Sequence, residues 1–200
     1  MKRFSKGIKI VSVLIILLFI AGYIFRQNLV LLYHAPAQGT AIDSLNHVLV
    51  FYNGAVSNVH GRRTTKDGYN LGLQFQCVEF VKRYYYEYYH HKMPDSYGHA
   101  VSFYQEGLSD SVYNSLRNLI QYKNPSKSRP KTGDLLVYSG TSGNPYGHVA
   151  IISKTTDDKV EIIQQNPGIG APSRVTFSLN KVDGKYKIGN DRILGWLRMK

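Results

Sequence analysis

Gln76-Cys77-Val78-Glu79-Phe80-Val81-Lys82-Arg83-Tyr84-Tyr85-Tyr86-Glu87-Tyr88-Tyr89-His90 is the most strongly helical stretch of this 200-residue chain. Counted from Cys77, the residues Phe80, Val81, Tyr84, Tyr85 and Tyr88 recur at i+3, i+4, i+7, i+8 and i+11, the spacing of one helix face. A helix is therefore expected over about 75–90, stopped by Pro94, with Glu79, Lys82, Arg83 and Glu87 on its other side. The tyrosines of the stripe read as packing residues. The cysteine stands at the amino end, where free N–H groups and the helix dipole favour a thiolate.

Downstream the period changes. Residues 134–139, 148–153, 160–165, 174–179 and 193–199 are short β-branched runs separated by Gly- or Asp-rich turns. They read as successive antiparallel strands. Upstream, 47–52 reads as a short strand or helical turn, 56–73 as an ordered polar loop and 97–122 as a second helical region; 123–131 is a basic loop. Helix first and strands afterwards is the α+β order.

The amino-terminal segment has a different character. Ile10 to Phe25 carries no charge and follows four basic residues. This is the pattern of a membrane helix with its positive flank inside. Extended by the apolar run Leu29–Tyr33, it is read as an uncleaved anchor over 10–33. A signal peptide is the alternative, but the only Ala-x-Ala (Ala35-Pro36-Ala37) lies late and carries a proline, which favours the anchor. The expected organisation is a basic cytoplasmic flank at 1–9, the anchor, a linker at 34–45 and one domain at 46–200 outside the membrane.

Composition excludes several classes. One cysteine allows no intrachain disulfide, no Cys-based zinc site and no iron–sulfur cluster. Hydrophobic residues at 43% and charged residues at 19% describe a globular chain. Residues 1–26 hold five basic residues and no acid, so the rest keeps +7 of the formal +12. That charge suits an anionic partner. No helix–turn–helix, zinc knuckle or Gly-rich phosphate loop points to nucleic acid.

A lone cysteine in an exported domain is either inert or kept for chemistry, and chemistry needs a base. His90 and His91 lie at the far end of the Cys77 helix, about 20 Å from the thiol at 1.5 Å per residue. His34 and His47 precede the core. His60 and His99 stand in loops and stay open. His148 opens the strand His148-Val149-Ala150-Ile151-Ile152, where a polar ring facing a helix terminus needs a partner. The next strand brings Gln164 or Asn166 level with it, and an amide oxygen there can accept the Nδ1–H and fix the tautomer. Gln165 or Asn166 is the alternative to Gln164, since strand residues alternate in direction.

These residues carry a resemblance. Gln76-Cys77-Val78-Glu79-Phe80-Val81-Lys82-Arg83 is similar to the cysteine motif of CHAP domains (cysteine- and histidine-dependent amidohydrolases/peptidases). Pro130 to Tyr138 resembles their P-x-x-GD strand, and Tyr146-Gly147-His148-Val149-Ala150-Ile151-Ile152 their histidine motif. Gln164-Gln165-Asn166 and Ile193-Leu194-Gly195-Trp196 complete the order, so the likeness runs from about Asp67 to Arg198. Within the family it looks most like the amidase half of glutathionylspermidine synthetase/amidase. The resemblance implies a papain-like, NlpC/P60-type α+β fold, with a Cys-bearing helix packed on an antiparallel His-bearing sheet. It implies Cys77 as nucleophile, His148 as base and Gln164 as orienter. It adds Gln76 with the Cys77 N–H for the oxyanion, and Asn166 in the substrate pocket. Gln164 departs from the glutamate of that amidase group, a neutral orienter where the relatives have a charged one.

The implied function is an extracytoplasmic cysteine amidase or peptidase on peptidoglycan. Alternatives are an amidase on a γ-glutamyl or polyamine conjugate, and a non-catalytic wall-binding fold. No cofactor is expected. The loop before the cysteine offers only Asp67 among basic residues, too few oxygen ligands for calcium. The expected partners are peptidoglycan or another amide substrate and the membrane, not nucleic acid.

Overall fold

The structure, a computed structural model, describes residues 2–33 and 35–200, and the side chains of 9–27 and 35–200. The chain divides into two units, Met1–Pro36 and Ala37–Lys200. The first is helix α1 (Lys2–Tyr33). Its segment Lys9–Gln27 is long and apolar enough to cross a membrane. The side chains of Lys2, Arg3 and Lys6 and of Leu29–Tyr33 lie outside the described residues.

The second unit mixes helix and sheet. It opens with an antiparallel hairpin of β1 (Ala41–Leu45) and β2 (Val48–Phe51), whose register shifts between Ala41 and Asp43. Asn46 and His47 form its two-residue turn, both at positive φ (48° and 68°), the geometry that matches strand twist. Residues 41–45, expected as linker, are thus a strand. Asn-His lacks the glycine that usually marks such a turn. The expected loop at 56–73 also holds a hairpin, β3 (Arg62–Thr64) with β4 (Asn70–Leu73).

Helix α2 (Cys77–Tyr89) follows, as the stripe requires. Phe80, Val81, Tyr84 and Tyr85 are fully buried. Burial of Phe80 and Val81 contributes about 1.5–3 kcal/mol apiece. On the opposite side Glu87 is exposed, but the residues nearer the amino end are not. Glu79, Lys82 and Arg83 are 0%, 1% and 4% exposed, because β2 and β4 pack over them. Their charges are answered locally. Arg63 and Arg83 donate to Glu79 at 3.0 and 2.6 Å, and Lys82 donates to the carbonyls of Asn70 and Ser96.

The expected second helix over 97–122 is absent. That stretch holds a 3-10 turn (Val101–Phe103) and strands β5 (Val112–Asn114) and β6 (Leu119–Lys123), paired antiparallel. Gly107, Ser111 and Asn118 all adopt positive φ, which breaks any helix. The sequence Leu119–Tyr122 alternates buried and half-buried side chains, a strand period masked by Gln121 facing inward.

The remaining strands are β7 (Leu135–Tyr138), β8 (His148–Thr155), β9 (Lys159–Ile163), β10 (Arg174–Val182), β11 (Lys185–Ile188) and β12 (Ile193–Arg198). They join β5 and β6 in one eight-stranded antiparallel sheet, ordered β11-β10-β9-β8-β7-β12-β6-β5. Alternation sorts its side chains. Leu135, Val137, Val149, Ile151, Ile163 and Leu197 pack against the α2 stripe. Leu136, Ala150, Ile152, Ile162 and Trp196 gather with Leu179 and Ile188 in a second core. Helix α2 rests on β8, which brings the amino end of one toward the start of the other.

Candidate active site

Cys77 is the first residue of α2. Gln76 precedes it in extended conformation and gives the helix no side-chain cap. The first-turn N–H groups thus lack intrahelical partners, as at every helix start. The N–H groups of Cys77 and Val78, joined by that of Val149 on β8, hydrogen-bond the sulfur. Burial outweighs them and pushes the thiol up from its ordinary value. Gly72 lets β4 pass this close, at φ 124°, where a Cβ would stand 3.3 Å from the Glu79 nitrogen.

His148 starts β8, opposite Tyr138 on β7. Gly147 aims it: φ there is 73°, and a Cβ would meet the Tyr138 carbonyl at 2.6 Å. The ring Nε2 lies 3.0 Å from Gln164 Oε1. Gln164 Nε2 donates to the Pro172 carbonyl at 3.0 Å, which fixes the amide so that its oxygen faces the ring. Nε2 must then carry the hydrogen, and Nδ1 keeps the lone pair. The sequence expectation placed the amide on Nδ1; the structure reverses the two nitrogens. Burial, with Arg192 adding a like charge, pushes the imidazole down to about 4 against the support of Gln164. A raised thiol and a lowered imidazole leave both groups neutral at rest.

Gln165 and Asn166 take other roles. Gln165 is buried and turns away from His148. Its Oε1 accepts from the Phe51 N–H at 2.8 Å, and its Nε2 donates to the Gln76 carbonyl at 3.0 Å and Glu79 Oε2 at 2.8 Å. It thereby ties the start of α2 to β2. Sequence reading missed this tie, because nothing in a Gln-Gln pair tells which amide faces which layer. Asn166 Nδ2 donates to the Val56 carbonyl at 3.1 Å and to Gln76 Oε1 at 2.6 Å. Gln76 Nε2 in turn donates to the carbonyls of Val56 at 3.3 Å and Asn58 at 2.7 Å. Both Gln76 donors are thus taken, so its side chain offers no free N–H to an oxyanion. The same chain of donors fixes Asn166 Oδ1 as a carbonyl oxygen, buried and without a hydrogen-bond partner among the described residues.

Cys77, His148, Gln76 and Asn166 line one cavity of about 840 Å³. The segments 56–59, 96–100 and 143–147 supply much of its wall. His99 also lines it, its ring tilted 36° against that of Tyr146 with centroids 4.5 Å apart. His60 is outside that lining and contacts Gln38. His91 is buried on the Arg117 carbonyl. His34 lies outside the described residues.

The His148 shift has a stability consequence. Between pH 6.5 and about 4 the unfolded chain binds a proton that the folded chain refuses. The stability this group contributes is therefore full above pH 6.5 and lost as pH falls toward 4, up to about 3 kcal/mol. Urea unfolding across that range should show the loss, and His148→Gln should flatten that part of the slope. Equal slopes in both chains would contradict the burial of a neutral ring.

The CHAP domain family model matches residues 64–166, and the chain belongs to that family. Membership carries amidohydrolase or peptidase chemistry in general terms. Among curated proteins, trypanothione synthetase of Crithidia fasciculata is 30% identical over 117 residues, covering 56% of this chain and 18% of that one. Glutathionylspermidine synthase of the same organism is 28% identical over 140 residues, covering 65% and 19%. The chain spans less than a fifth of the length of these relatives. Among solved structures, the endolysin LysIME-EF1 aligns over 86% of this chain and 63% of its own, at 15% identity and a TM-score of 0.38. Ly7917, solved with the hydrolysing product of MDP, aligns over 38% and 31% at 28% identity and a TM-score of 0.28.

Proposed function

We propose that the chain is a cysteine-dependent amide hydrolase of papain-like arrangement, held outside the cytoplasmic membrane and acting on amide bonds of peptidoglycan. The observation that carries this reading is one cavity lined by both Cys77 and His148, with the ring tied to Gln164 at 3.0 Å. His148 Nδ1 takes the thiol proton as the sulfur attacks the amide carbonyl. The oxyanion forms against the Cys77 N–H. The proton passes to the leaving amine, and water, deprotonated by the same ring, releases the acid from the thioester. Asn166 shapes the substrate pocket, whose wall it lines. Gln76 shapes the wall beside it through its hold on the 56–58 loop. No cofactor enters this scheme.

The substrate assignment rests on the family's chemistry, the apolar helix with its basic flank, and the positive charge of the remaining chain. The catalytic domain takes in the β1–β2 hairpin, because Asp43 on β1 pairs with Arg174 on β10 at 3.0 Å. Purified sacculi incubated with the detergent-solubilised chain should release soluble peptides with new termini. A glutathionylspermidine arm tests the alternative suggested by the curated relatives. Turnover of the conjugate with intact sacculi would transfer the function there; turnover of neither would support a wall-binding role.

Placement is tested separately. Protease added to spheroplasts should degrade the chain beyond about residue 35 and spare the amino-terminal flank. Full protection would place the domain inside and favour the conjugate.

A further inference from the structure

The cavity contains one fully charged side chain, Arg62, and no carboxylate among the residues that line it. Arg62 sits on β3 opposite Leu73, which lines the same cavity a few residues before Cys77. Its Nη1 donates to Asn70 Oδ1 at 3.1 Å, and its guanidinium lies over the Tyr97 ring at 5.4 Å. Asn70 is itself buried and held by donation from its Nδ2 to the Ser96 carbonyl. The guanidinium is thus oriented by a fixed amide and an aromatic face, with other N–H groups left to offer.

The acids around it are already answered. Asp67 pairs with Lys92, Glu79 with Arg63 and Arg83, and Asp95 with Arg117 at 3.4 Å. No ion pair to Arg62 occurs among the described residues. Behind it, Lys82 is buried on the carbonyls of Asn70 and Ser96, and burial with the nearby Arg117 holds its ammonium down to about 7. This end of the cavity is therefore short of negative charge, while a polyamine would find no counter-ion in it.

We propose that Arg62 is a specificity residue that takes a free carboxylate of the substrate, so that the cavity selects anionic peptides. This deepens the amide-hydrolase reading and rests on it for the location of the reacting bond. A guanidinium fork fits a carboxylate with two parallel hydrogen bonds, a geometry that lysine cannot copy.

The test uses the full chain in detergent with Cys77→Ala, so that binding is read without turnover. Two stem-like peptides are compared by calorimetry, identical except that one carries a carboxylate and the other a carboxamide. The carboxylate peptide should bind about tenfold tighter, as expected of an exposed charge-assisted pair. Adding R62Q should bring the ratio near one, and R62K should restore part of it. Equal binding in the parent chain, a ratio that survives R62Q, or no binding of either peptide would overturn the proposal. Hydrolysis by the Cys77 chain separates the two levels. Turnover of both peptides without a carboxylate preference leaves the hydrolase reading standing and removes the subsite. An Arg62-dependent binding ratio without any turnover does the reverse.

Discussion

Cys77→Ala is expected to fold as the parent does and to lose hydrolysis of every substrate the parent cleaves, by about 10⁴-fold or more. The fold should tolerate it. Cys77 is half-buried at the edge of the core cluster, and alanine removes one sulfur and keeps the helix position. The chemistry should not tolerate it. The N–H groups of Cys77, Val78 and Val149 converge on a sulfur, and alanine leaves them with no nucleophile to hold. Thermal unfolding checks the first half and peptide release checks the second. A variant that unfolds at the parent temperature and still turns over substrate would remove Cys77 from the mechanism.

Gln164→Leu should cost on the order of 10²-fold or more, the scale on which a misplaced tautomer acts in a related triad. The leucine cannot accept from Nε2, so the ring loses both its orientation and the bond that keeps the lone pair on Nδ1. Gln164→Glu should act in another way. A carboxylate raises the basicity of the imidazole, so both limbs of the pH profile move to higher pH. Those limbs belong to the thiol–imidazole pair as a unit. Leucine kinetics equal to the parent's would mean that the 3.0 Å contact does not orient the base.

The sequence announces some elements and conceals others, for physical reasons. Helix α2 was legible because six apolar residues repeat at helical spacing from Cys77. The strands from Leu135 onward were legible because β-branched runs alternate with turns. The β3–β4 hairpin was not, because Gly61 to Leu73 is polar and its strands are three and four residues long. Strands β5 and β6 were hidden by buried polar side chains, Asn114 and Gln121, which bond each other at 2.9 Å. Polar residues facing inward erase the alternation on which a strand is recognised.

The candidate site divides along the same line. Cys77 and His148 stand out in the sequence because a thiol at a helix start and a histidine opening an apolar strand are both out of place unless they meet. Register left Gln164 and Asn166 open, and the resemblance singled out Gln164. The ring nitrogen that faces it was not legible, since that depends on the turn at Gly147 and on the Pro172 carbonyl. Glu79, Lys82 and Arg83 stand on the polar side of the helix and are buried, because short hairpins too weak to read cover them. Arg62 and Tyr97 gave no signal at all; only the folded loops bring them to the cavity.

In the mechanism proposed above, the Cys77 sulfur forms a covalent acyl intermediate with the substrate. Mass spectrometry of the full chain, quenched in acid within the first turnovers on soluble muropeptide, reads this directly. A mass increase equal to the acyl fragment is expected, located on the tryptic peptide that holds Cys77. The adduct should accumulate when His148 is replaced by alanine and acylation is driven at high pH. Product release from the parent chain with no adduct on that peptide in either protein, at any quench time, would exclude Cys77 as the nucleophile.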